Sequence, residues 1–259
     1  MSTQTKPPYG HEPRHKVLRY LDRRDIRLSR NQFVGSAIVI DVGTTGLSHQ
    51  FDHVTELGWV EIAYDSWHQI CGVYGPYVHK GIFPGTLNLV SDCGQSVGST
   101  HPEVQTFLER VDQCGLIISH NNGFDRVMLE KAIPALGNTS AKWACTLRDL
   151  DWRSVGSLDN RLCDLLDHYG ACHNRHDTED DVIALTWLLG RCWPEAQTNP
   201  FPYPKLSIAG SDSPTHQQQV TNLSMLIRKA EEQAQALMNN CNTPSQSHRQ
   251  TPSFGEMDF

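Results

Sequence analysis

The order of its periodic segments predicts an α/β layer fold, with apolar strand patterns first and helical periodicities alternating with short strands afterwards. Three observations carry that expectation. Ala37-Ile38-Val39-Ile40 is an unbroken apolar run closed by Asp41. Val54 to Tyr64 and Ile70 to Val78 are rich in β-branched and aromatic residues. Val104, Phe107, Leu108 and Val111 then recur at i, i+3, i+4 and i+7, the signature of a helix with one apolar face.

The first three strands read as a meander joined by Gly- and Asp-containing turns. A Gly/Ser-rich loop, Ser91 to Ser99, leads to Thr100-His101-Pro102-Glu103, which has the form of a capping box with an early proline. Gly115-Leu116-Ile117-Ile118 is a short buried-strand pattern, and Asn122 to Ile133 is a helix that Pro134 stops. Ala141 to Thr146 supplies the fifth strand. Ser157 is placed to cap a helix bearing Leu158, Leu162, Leu165, Leu166 and Tyr169 and ended by Gly170, and another helix runs from about Thr178 to Gly190.

The 259 residues suit one domain with extensions, divided here as a basic N-terminal arm (1–34), a central domain (35–193), a Pro/Gln/Ser/Thr-rich linker (194–219), an amphipathic helix (220–238) and a disordered tail (239–259). No apolar run approaches the ~20 residues of a membrane span. The first ten residues lack the apolar core of a signal peptide. Eight cysteines without a paired C-x-x-C suit reduced thiols, so the cytoplasm is the expected compartment.

The net charge is -7, but residues 1–34 hold eight Lys/Arg against three Asp/Glu, a local +5 that leaves -12 for the rest. Lys16, Arg19, Arg23, Arg27 and Arg30 are spaced to share one helical face, a possible phosphate track outside the first strand, so the domain is expected to fold without residues 1–34. Val220, Leu223, Ile227, Ala230, Ala234 and Leu237 recur at 3-4-3-4-3, a seam for self-association, for a protein partner or for packing on its own domain. The ending Gly255-Glu256-Met257-Asp258-Phe259 loosely resembles the acidic, Phe-terminated peptides of single-stranded-DNA-binding proteins.

Four residues have the chemistry of a hydrolytic site. Asp41 closes an apolar strand, and Asp125 falls in the first turn of a helix. Asp181 has Ala184, Leu185 and Leu188 at i+3, i+4 and i+7, so its carboxylate lies on an apolar helix face and needs a cation, a hydrogen bond or a metal. His176, five residues before Asp181, is off that face and suits a loop above an acid held in the scaffold. Cys172, His173 and His176 offer a weaker zinc reading, since no second ligand pair at structural-site spacing follows.

In combination these residues resemble the signature of the DEDDh 3′-to-5′ exonucleases. Their D-x-E-T-T-G-L pattern is matched by Asp41-Val42-Gly43-Thr44-Thr45-Gly46-Leu47 except at Gly43. Their H-N-x-x-F-D is matched by His120 to Asp125, and their H-x-x-x-x-D by His176 to Asp181. Lys142 to Leu147 is similar to the family's fifth-strand segment, and the likeness spans about Gly35 to Gly190.

The resemblance implies a ribonuclease-H-like fold, a five-stranded mixed sheet flanked by helices. It implies two Mg²⁺ or Mn²⁺ ions held by Asp41, Asp125 and Asp181, with Asp41 bridging and His176 accepting the proton of the attacking water. Gly43, Thr44, Thr45, Leu47 and Asn121 would border the 3′-terminal nucleotide of a single strand of DNA or RNA. Glu56 corresponds to an acid that the family often carries outside the metal site. Glycine at position 43 lacks the family's ion-binding carboxylate, which implies activity lowered by at least ~10² to 10³ or abolished. The alternative is an inactive relative that binds 3′ ends or a protein.

Overall fold

The computed structural model describes residues 19–81, 101–153, 157, 159–191 and 221–241. The loop Ser91 to Ser99, Thr100, the linker 194–219 and the acidic ending Gly255 to Phe259 lie outside them. The main sheet contains β2 (Phe33–Thr44), β3 (Val54–Asp65), β4 (Ile70–Lys80), β5 (Leu116–Ser119) and β6 (Lys142–Cys145), in the order β4-β3-β2-β5-β6. Only β3 runs against the others, being antiparallel to β2 and β4, while β2, β5 and β6 are mutually parallel. This is the α/β arrangement, a five-stranded mixed sheet flanked by helices, that the sequence predicts.

β2 is central and buried on both faces, which is why its apolar run is continuous rather than alternating. Ile38 and Ile40 meet α1 (Pro102–Cys114) and α2 (Asn122–Ala132) through Phe107, Val111 and Met128. Ala37 and Val39 join the opposite core, which takes in Leu165 of α4 (Leu162–His168), Val182 and Leu188 of α5 (Thr178–Leu189), and Leu226 of α6 (Asn222–Cys241). A single turn, α3 (Thr146–Asp149), follows β6. Among the described residues no helix is long and apolar enough to cross a membrane.

Several expectations need correction. The helix expected from Ser157 begins instead at Leu162 with Arg161 as its N-cap residue. The Ser157 hydroxyl donates to the Asp159 carbonyl at 2.6 Å, and the Asp159 carboxylate accepts from the Arg161 amide at 3.2 Å, so local side-chain bonds hold the chain out of helix there. His101 is the N-cap residue of α1, its ring nitrogen accepting from the Glu103 amide. α6 continues to Cys241, past the expected end at 238.

Lys16 lies outside the described residues, and Arg19, Arg23, Arg27 and Arg30 do not share a helical face. Arg19 lies in β1 (Arg19–Tyr20), which pairs in parallel with β7 (Ala171–Cys172), and Arg23 to Asp25 form one 3-10 turn capped by Asp22. The segment is an extended strap. Ile26 is buried in the core, the Ser29 amide donates to the Ile70 carbonyl at 2.7 Å, and Arg23 donates to the Val73 carbonyl. Ser29 and Asn31 both donate to the buried Asp65 carboxylate, at 2.6 and 2.8 Å. Burial opposes the Asp65 charge, but these bonds and those from the Gln69 and Trp67 amides outweigh it and lower its pKa. Removing residues 1–34 would strip these contacts and the first residues of β2, so the first strand does not begin after that arm as expected.

The seam of α6 is occupied by its own domain over its first half. Leu223, Leu226, Ile227 and Ala230 are buried, and Asn222 donates to the Leu188 carbonyl at 2.7 Å, whereas Leu237 is 68% exposed.

Gly58 sets how closely α5 approaches the sheet. A Cβ there would stand 2.6 Å from Thr178 Cγ2 and 2.8 Å from the Thr178 carbonyl oxygen, and backbone yields little. Gly58→Ala is therefore expected to destabilise the protein by about 1–3 kcal/mol and to displace the start of the helix that carries Asp181. A urea-unfolding midpoint equal to that of the wild type would contradict this close approach.

Candidate active site

Strand alternation brings Asp41, Gly43, Glu56 and Gly58 to the α5 side of the sheet. Asp41 pairs with Gly58 and Gly43 with Glu56 across the antiparallel β2/β3 ladder. Asp181 comes from the first turn of α5, whose N-cap residue Asp177 accepts from the Glu179 and Asp180 amides at 3.1 and 3.2 Å. Asp125 comes from the first turn of α2, where it is 5% exposed and accepts from the Asn121 amide at 3.3 Å.

These acids share one electrostatic field. Burial, followed by the charges of Asp181, Asp125 and Glu56, pushes the Asp41 carboxyl well above the usual carboxylate range. Burial likewise raises Asp125 to about 7, against the lowering effect of bonds from Ser119 and the Asn121 amide. Glu56 Oε1 lies 2.9 Å from Lys80 Nζ at the exposed edge of the sheet. Among the described residues, however, no three His, Cys, Asp or Glu side chains already converge as an ion-holding cluster. The donor set fits a hard divalent ion by its carboxylate chemistry and by the mutual repulsion such an ion would relieve, without forming a ready-made cage.

The histidines divide into three environments. His176 is exposed on the turn before α5 with φ 64°, an uncommon left-handed conformation for a residue other than glycine. The His173 side chain is 5% exposed, and its Nε2 lies 2.5 Å from Asp181 Oδ1. His120 has Nδ1 2.7 Å from Thr146 Oγ1, and burial lowers its pKa to about 4, so it is neutral. In the sequence His173 carries only the weaker zinc signal. Its contact with Asp181 depends on the turn between β7 and α5 and has no local sequence signal.

The candidate substrate residues lie at the end of β2, in the turn that follows it and at the start of α2. Thr44 Oγ1 donates to the Gly46 carbonyl at 2.7 Å, and Thr45 Oγ1 donates to Asp52 at 2.8 Å. Leu47 is 86% exposed at the tip of the turn. Asn121 is exposed at the N-cap position of α2 and makes no side-chain cap.

Solved structures similar to this fold include Escherichia coli exonuclease I. Its complex with a dA16 oligonucleotide matches with 16% identity and a TM-score of 0.38, over 61% of this chain and 40% of that one. Its zinc-ion-bound form with single-stranded DNA matches with 17% identity and a TM-score of 0.41, over 63% and 41%. The exonuclease I complex named ExoI/SSB-Ct matches with 15% identity and a TM-score of 0.36, over 59% and 40%. The chain thus spans about two-fifths of the exonuclease I chains it matches. No protein-family model and no curated protein sequence matches it.

Proposed function

We propose that this protein is a metal-dependent 3′-to-5′ exonuclease acting on single-stranded 3′ ends of DNA or RNA, with activity reduced by glycine at position 43. The observation that supports this most is the shared field of Asp41, Asp125 and Asp181, which come from β2, α2 and α5. The charges of Asp181 and Asp125, from separate elements, oppose ionisation of the buried Asp41, and a divalent cation is a partner that relieves such an arrangement.

Mg²⁺ or Mn²⁺, when bound, supplies Lewis-acid stabilisation of the attacking and leaving oxygens. The chain's own residues do the rest. Asp41, Asp125 and Asp181 hold the ions. His173 fixes one oxygen of Asp181 and thereby orients the other. The exposed His176 imidazole takes the proton of the attacking water as general base. Thr44, Thr45, Leu47 and Asn121 border the terminal nucleotide. The second reading, a protein that binds 3′ ends without cutting, is favoured by Gly43 and by the lack of a ready-made ion cluster among the described residues.

Product ladders from end-labelled single strands in Mg²⁺ and Mn²⁺ separate the two readings. His176→Ala is expected to lower hydrolysis by about 10² to 10⁴ with ion affinity unchanged, because a proton acceptor is not a ligand. His173→Ala is expected to weaken ion binding by about 10- to 100-fold, as loss of a ligand's supporting hydrogen bond does. Equal loss of ion binding in both variants would remove His176 from the role of base.

A further inference from the structure

A second feature lies beside the acids and extends the nucleic-acid reading on which it rests. A cleft of 460 Å³ separates α2, β6 and α6. Its walls carry three cations, Arg126, Lys142 and Arg148, and no Asp or Glu, on a chain whose net charge is -7. Arg148 donates to the neutral Asn122 amide oxygen, so that bond leaves its charge uncompensated. Arg126 is shared with Glu130 at 2.7 Å, and its guanidinium stands over the Trp143 ring at 5.7 Å from the centroid. Leu237 of α6 faces the cleft and is largely exposed.

The placement of these groups gives the cleft a direction. Asn122 directly follows Asn121 of the candidate active site, and Arg148 stands beside it just beyond the end of β6. Lys142 begins β6 and Arg148 lies beyond its end, so the two residues sit at opposite ends of a strand about 10 Å long. An acidic peptide would be met by the cations alone. A nucleic-acid strand is met by cations at both ends for its phosphates and by the Arg126–Trp143 plate between them for its bases.

The geometry points to this cleft as the track for single-stranded nucleic acid leading away from the 3′ end, with Lys142 and Arg148 on phosphates and Trp143 with Arg126 as a stacking plate. α6 closes one wall. This also moves the phosphate contacts from the N-terminal arginines to the opposite edge of the sheet, beyond β5.

The test measures binding of dT12 and dT3 to the full chain in EDTA, where metal-dependent cutting is off, across a salt series. Lys142→Ala/Arg148→Gln is expected to weaken dT12 binding at least about 10-fold and to lower the salt slope by about 1.4, roughly 0.7 for each lost phosphate contact, with dT3 binding retained. Trp143→Phe is expected to weaken dT12 binding with the slope unchanged. Lys229→Ala, an exposed cation of α6 outside the cleft, is expected to change neither quantity. An unchanged slope in the double variant, an equal drop with Lys229→Ala, or no wild-type binding of dT12 overturns the track, as does preferential binding of poly-glutamate. Mn²⁺ titration of Asp41→Asn keeps the outcomes apart. If that variant loses the ion while the track variants behave like the wild type, the track alone fails.

Discussion

Asp41→Asn is expected to abolish divalent-ion binding and metal-dependent hydrolysis, while raising the melting temperature of the ion-free protein at neutral pH. The two effects have one cause. The folded-state pKa of Asp41 lies above its ordinary value because burial and the charges of Asp181, Asp125 and Glu56 oppose ionisation. The ion-free native protein therefore keeps a proton that the unfolded chain releases near pH 4, and it loses stability as pH rises from there toward the raised value. Asn carries no such penalty. Asp125 adds a penalty of its own: with a folded-state value of about 7, ionising it at neutral pH costs on the order of 4 kcal/mol at most.

Melting curves in EDTA at pH 5, 7 and 8.5 read this directly. The gap between Asp41→Asn and wild type should widen with pH, and Mn²⁺ should raise only the wild-type curve, by an amount set by its concentration relative to the dissociation constant. A variant that still gains stability from Mn²⁺ would show that Asp41 is not a ligand. One that melts lower in EDTA at pH 8.5 would show that the acids do not repel one another.

The sequence makes the sheet legible because each of its strands has its own local pattern. Ala37 to Ile40, Val54 to Tyr64 and the run at Leu116 match β2, β3 and β5, while Pro134 and Gly190 stop α2 and α5 where those residues must act. What it hides is long-range. β1 and β7 are two-residue strands from opposite ends of the domain, and nothing in Arg19-Tyr20 or Ala171-Cys172 announces the other. The strap from Asp22 to Asn31 misleads for a related reason. Its arginines have helical spacing, but Ile26 finds a core position and Ser29 and Asn31 satisfy a buried Asp65 some thirty-five residues away.

The candidate site divides along the same line. The carriers of its acids can be read from strand and helix patterns. The His173 contact with Asp181 cannot, because it exists only through the turn that puts His176 at φ 64°. The crowding at Gly43 is equally invisible until the β2/β3 register is known.

Gly43→Glu is expected to raise hydrolysis by about 10² or more if glycine at this position is what limits the site, because the new carboxylate adds a preorganised charge beside Asp41. Backbone conformation does not forbid it, since Gly43 lies within β2 and is not among the glycines with positive φ. The obstacle is lateral. A Cβ at position 43 would stand 3.0 Å from Glu56 Cβ, 3.3 Å from Thr55 Oγ1 and 3.5 Å from Thr178 Oγ1, so the neighbouring strand must yield slightly. The single variant is therefore expected to gain activity while losing about 1–3 kcal/mol of ion-free stability. Gly43→Glu/Glu56→Gly moves the carboxylate from one strand to the other and removes the contact. It is expected to keep the gain in Mn²⁺ affinity without the crowding, although loss of the Lys80 pair and glycine in a strand offset part of that recovery. Melting temperature in EDTA, Mn²⁺ titration and product ladders from 3′-blocked and unblocked strands together decide the matter. A folded double variant that neither binds Mn²⁺ more tightly nor shortens the unblocked strand would show that a carboxylate at position 43 is not what the site lacks. The reading of an impaired enzyme would then give way to a protein that holds 3′ ends without cutting them.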